Sequence, residues 1–97
     1  MALTLESVGR SPNESKRYRA TFLRDGREIH TDFGDPNMSN YTMHQDPERR
    51  KHYLMRHKAR EDWRDPTSAG ALSRWLLWGE STSLRENIKL FKKRFDL

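Results

Sequence analysis

The stretch Ala69-Gly70-Ala71-Leu72-Ser73-Arg74-Trp75-Leu76-Leu77-Trp78 is the only strongly apolar block in the chain, and it constrains the fold more than any other feature. Only 33% of residues are hydrophobic and 34% are charged. A core must therefore form around these indoles, or the indoles must be presented to a partner. A helix from about Ser68 to Trp78, stopped at Gly79, places Leu72, Trp75 and Leu76 on one face and leaves Leu77 and Trp78 off it. A helix apolar nearly all round is either central to a fold or part of an interface. On this reading Trp75 fills the core and Trp78, at the helix end, faces a partner.

The remaining signals place a small α+β domain around that helix. Tyr18 to Leu23 and Glu28 to Phe33 flank Asp25-Gly26, the dipeptide of a two-residue hairpin. That turn sets Phe22 opposite Ile29, Ala20 opposite Thr31 and Tyr18 opposite Phe33 on one side, with Arg19 facing Asp32 and Thr21 facing His30 on the other. A lone hairpin is marginal in water, so its apolar face must lie on helices. Asp46-Pro47 reads as a cap and first residue of a helix running to about Glu61, with Arg50, Tyr53, Leu54, His57 and Glu61 on its inner stripe. Ser83-Leu84-Arg85-Glu86 fits a capping box for a last helix whose stripe is Leu84, Ile88, Phe91 and Phe95. Residues 1–15 mix Ser, Pro, Asn and Gly and read as a flexible arm, although Leu3, Leu5 and Val8 allow its first half to join a sheet edge. The expected organisation is thus an arm over 1–15 and one domain over 16–97, a β-hairpin packed against two or three helices.

Length, charge and missing residue types narrow the function classes. A chain of 97 residues supports one small core, and the absence of cysteine removes disulfides and thiolate metal sites. No apolar run approaches the ~18 residues of a membrane span. Residues Met1 to Arg10 lack the basic start and long apolar stretch of a signal peptide. His52 and His57 diverge on a helix and are not expected to share a metal, and His57 is placed to pair with Glu61 one turn on. No nucleophile elbow or glycine-rich phosphate loop is present. The sequence predicts no enzyme, no metal and no cofactor.

The net charge of +5 favours contact with nucleic acid or with acidic protein surfaces. Arg49, Arg50 and Lys51 on the helix that starts at Pro47 and Lys89, Lys92 and Lys93 on the last one are the candidates for polyanion contact. The turn Gly79-Glu80-Ser81-Thr82 joins two helices as in a helix-turn-helix, with Arg85 and Asn87 as the fair candidates for base edges. Protein docking is the other reading. Tryptophan and arginine are enriched at interface hot spots, and Tyr41, Arg74 and Trp78 are its candidate contacts.

The order of motifs Tyr18-Arg19-Ala20-Thr21-Phe22, Asp25-Gly26-Arg27, Phe33-Gly34, Tyr41-Thr42 with His44 and Asp46, Tyr53 with Arg56-His57, Glu61-Asp62-Trp63 and Ala69 to Trp78, followed by Arg94-Phe95, resembles a small family of proteins from large DNA viruses of algae and related giant viruses. The resemblance spans about Lys16 to Phe95, and Asp35-Pro36-Asn37 departs from the glycine-containing linker expected there. It brings no catalytic residues. It implies a virion component, made in the host cell interior and docked among capsid or other virion proteins, in the manner of a minor capsid protein that cements its neighbours. A basic nucleic-acid-binding module is the alternative.

Overall fold

The computed structural model describes residues 2–97 and has the α+β architecture that the hairpin and helix signals predict. Its sheet is antiparallel in the order β1-β2-β3, with β1 at Leu3–Arg10, β2 at Tyr18–Arg24 and β3 at Arg27–Phe33. The β2–β3 register pairs Phe22 with Ile29, Ala20 with Thr31 and Tyr18 with Phe33. Asp25 and Gly26 both have positive φ, 51° and 80°, the geometry that matches a two-residue loop to strand twist.

Residues 3–10, read as part of a flexible arm whose first half could join a sheet edge, form that edge strand. Strict alternation would put Leu5 and Val8 on opposite faces of a strand. A bulge between Leu5 and Ser7 inserts one residue, so Leu5 pairs with Phe22 and Val8 pairs with Ala20 on the same buried face. Leu5 is buried and Leu3 and Val8 pack beside it. Two hydrogen bonds fasten the loop after β1, from Ser11 N–H to the Arg17 carbonyl and from Arg17 N–H to the Gly34 carbonyl.

Four helical segments cover this face. A single turn, α1 (Tyr41–His44), is capped by the Asn40 side chain. α2 (Pro47–Lys58) starts at Asp46, whose carboxylate accepts from the N–H groups of Glu48 and Arg49. α3 (Ala69–Leu72) starts at Ser68 and runs on as a π-helical turn over Ser73–Leu77, marked by the Trp78 N–H to Ser73 carbonyl bond of 3.0 Å. α4 (Leu84–Phe95) starts at Ser83, whose hydroxyl accepts from Glu86 N–H.

The π turn decides where the indoles go. The residue it adds rotates the downstream chain, bringing Leu77 onto the buried face of Leu72 and Leu76. Trp75 and Trp78 then flank that face. Trp75 meets Phe95 of α4 edge-on, and Trp78 stacks on Tyr53 of α2 at 4.2 Å and 4°. The core comprises Leu5, Ala20, Phe22, Phe33, Tyr53, Leu72, Leu76, Leu77, Trp78 and Phe91.

The turn into α4 is held by Asn87, which is fully buried. Its Nδ2 donates to the carbonyls of Leu76 and Ser81, and its Oδ1 accepts from Ser81 N–H. Gly79 allows this close approach, because a Cβ there would strike the Trp75 carbonyl and the Asn87 side chain.

Candidate binding surface

Trp78 is only 8% exposed, so the expectation that it faces a partner is corrected. Its ring lies between Tyr53 and His44, and its carbonyl accepts from both Arg50 Nε and Arg74 Nη1 at 3.1 Å. Tyr41, the second candidate contact, is half-buried against the core, with the Arg50 guanidinium 5.5 Å above its ring. Arg74, the third, is half-buried as well.

Arg50 is likewise corrected as a polyanion contact. Its Nε donates to the Trp78 and Gly79 carbonyls at 3.1 and 2.9 Å, where a cation complements the negative end of the preceding helical segment. The other five candidates lie on the surface: Arg49 and Lys51 are exposed on α2, and Lys89, Lys92 and Lys93 are exposed on α4. Of the two residues proposed to read base edges, Arg85 is exposed but Asn87 is inside the fold. The helix pair therefore lacks one of its two reading side chains.

Trp63 and Trp75 are the indoles that reach the surface, and Trp75 is the one packed against the core. Its Nε1 donates to the Trp63 carbonyl at 3.0 Å, which fixes the ring. The Arg74 guanidinium carbon lies 4.1 Å and that of Arg94 3.8 Å from the ring centroid. Arg74 also lies over Trp63, at 5.2 Å. Cation–π attraction of this kind strengthens where water is partly excluded. Burial, reinforced by the charges of Arg50 and Arg94, pushes the Arg74 guanidinium down to about 10, so it is still charged at neutral pH. Beside Trp75 a depression of about 390 Å³ is lined by Glu80, Leu90, Phe91, Lys93 and Arg94.

A second cleft, of about 340 Å³, adjoins Tyr53, His57, Glu61 and Ser73. His57 Nδ1 lies 3.2 Å from Glu61 Oε2, the pairing expected from their spacing. Glu61 Oε1 accepts from Trp63 Nε1 at 3.0 Å, and the His57 ring stacks on Tyr53 at 4.1 Å. A carboxylate held this way fixes the orientation of the imidazole. Here it also fastens the end of α2 to the segment that carries Trp63. Among the described residues no group of three or more His, Asp or Glu is arranged to hold a metal, and no helix is long and apolar enough to cross a membrane.

His44 makes this wall of the fold sensitive to acid. Its Nδ1 accepts from Asp46 N–H at 2.9 Å, while Nε2 is buried without a hydrogen-bond partner. Burial holds the imidazole below its ordinary value of 6.5; the Arg49 charge acts in the same direction and the Asp46 charge opposes it. A histidine whose folded value is depressed resists protonation in the native state. Stability is therefore complete above the unfolded value and declines as pH falls below it. Chemical denaturation midpoints are expected to drop between about pH 7 and pH 5. H44N, which keeps an acceptor for Asp46 N–H, is expected to flatten that slope; equal slopes in the two proteins would reject the assignment.

A model described as a family of unknown function (DUF5754) matches residues 6–57, a segment holding most of the sheet, α1 and nearly all of α2 but ending before Trp75 and α4. Neither the curated proteins nor the solved structures yield a match.

Proposed function

Because the chain belongs to DUF5754, a family whose description assigns no activity, we propose a role read from its surfaces: it is a docking protein that works by adhering to neighbouring proteins. The observation that carries this is the half-exposed Trp75, with the guanidiniums of Arg74 and Arg94 against its ring and the exposed Leu90 beside it. Tryptophan and arginine are the residues that dominate binding energy at protein interfaces, and a ring already fixed by Trp63 loses little freedom on docking. The resemblance to proteins of large DNA viruses extends the reading to a minor structural component of the virion, set between capsid proteins and without a reaction of its own.

The test is the composition of purified, nuclease-treated particles. The protein is expected to persist in them and to leave with capsid subunits rather than with the genome when they are dismantled. Its absence from the particles would remove the virion reading.

A second reading is supported by the exposed Arg49, Lys51, Lys89, Lys92 and Lys93, a set able to meet phosphates. Titration of random duplex DNA against salt separates the two. A steep loss of affinity with salt favours nucleic acid, and no binding at low salt eliminates it.

A further inference from the structure

The apolar stripe of α4 is Leu84, Ile88, Phe91 and Phe95, which leaves Leu90 outside the core at 39% exposure. A single exposed leucine is ordinary. This one shares the 390 Å³ depression with Trp75 and Phe91. Lys93 and Arg94 lie three and four residues beyond it, so they project from the same side of the helix and rim the same depression. Leu84–Phe95 carries five cations and one carboxylate. None of its lysines or arginines takes part in an ion pair among the described residues. Glu80, also exposed, is the one carboxylate that lines the depression.

A lining of apolar side chains with two cations and one carboxylate selects a ligand of complementary chemistry. We propose that the groove between Trp75 and α4 captures a partner polypeptide segment in which a large apolar side chain is flanked by carboxylates. This rests on the docking reading and names the partner's chemistry. The apolar side chain sits against the exposed Leu90, beside the Trp75 ring rather than on its face, and its flanking carboxylates meet Lys93 and Arg94. Glu80, the one carboxylate in the lining, repels an acidic residue placed beside it. Nucleic acid fits less well. Bases stack on free aromatic faces, whereas the Trp75 ring already carries two guanidiniums and its Nε1 is engaged.

The probe is a labelled peptide alternating glutamate with leucine and phenylalanine, titrated by fluorescence anisotropy against the full chain at physiological salt. Its counterpart has serine at every apolar position and the same charge. Saturable binding of the first is expected, with the second weaker by about tenfold or more. L90E and R94A, both at exposed positions, are each expected to weaken the first peptide by about tenfold, and E80Q to tighten it. K51A, an equal loss of charge on α2, is expected to leave it unchanged. Equal binding of both peptides, an equal loss in K51A, or no binding of the first peptide would each overturn the proposal. Circular dichroism of the variants confirms that they are folded. Location in particles is read independently of this groove, so the two ideas fail separately.

Discussion

W78A is expected to lower the stability of the domain by about 3–5 kcal/mol, the range for removing a large aromatic side chain from a core. Three losses combine in it. The ring is almost wholly buried, so its removal leaves a cavity beside Tyr53 and His44. The parallel stack on Tyr53 disappears. Wherever the chain shifts to fill the space, the Trp78 carbonyl moves away from Arg50 and Arg74, leaving Arg74 without its acceptor and Arg50 with the Gly79 carbonyl alone. A chain of this length has a total stability on the order of 5–15 kcal/mol, so the variant loses a large share of it and its melting temperature falls steeply. W78F keeps an aromatic ring against Tyr53 and is expected to cost about half as much. Thermal melts by circular dichroism measure both. Had Trp78 been a surface hot spot, its alanine variant would stay folded and lose only partner binding; a melting temperature equal to that of the parent would establish this and reject the buried assignment.

How far the residue pattern reveals the structure depends on how local each signal is. The β2–β3 register was legible because Asp25-Gly26 admits one loop geometry, and the apolar alternation then confirms a single pairing. The starts of α2 and α4 were legible because Asp46-Pro47 and Ser83 are caps whose chemistry is complete within a few residues. β1 was legible only as an alternative, from Leu3, Leu5 and Val8, because its bulge breaks the period of two that marks a strand. The exchange of roles between Trp75 and Trp78 arose from the π turn. Projection at ~100° per residue assumes a regular helix, and one added residue moves an indole from the rim to the core. Arg50 lay on the predicted inner stripe, yet its charge alone suggested a polyanion contact; the carbonyls it reaches, at Trp78 and Gly79, are distant in sequence. The groove beside Trp75 was hidden for the same reason, since it needs both the π turn and the packing of α4.

Asn87 is the residue whose true role the sequence did carry. It stands three after Leu84 and four before Phe91, on the inner stripe, and a polar residue there must find partners. N87A is expected to destabilise the domain by about 3 kcal/mol, because it deletes three hydrogen bonds and strands the Leu76 carbonyl in the interior. N87D is the sharper variant. It is nearly isosteric and keeps an acceptor for Ser81 N–H, but it turns an oxygen towards the carbonyls of Leu76 and Ser81 and places a charge where nothing neutralises it. It is expected to be at least as damaging as alanine near neutral pH. Urea denaturation midpoints read both effects. The ordering also separates two roles for this side chain. An asparagine that reads base edges from an exposed helix would tolerate either substitution with little change in stability and would lose DNA affinity instead. The buried asparagine loses the turn between the π-helical segment and α4, and with it the fixed relation of Trp75 to Leu90 and Arg94 on which docking depends. If both variants matched the parent in urea, the turn would not be held by this side chain, and the groove would have no rigid wall.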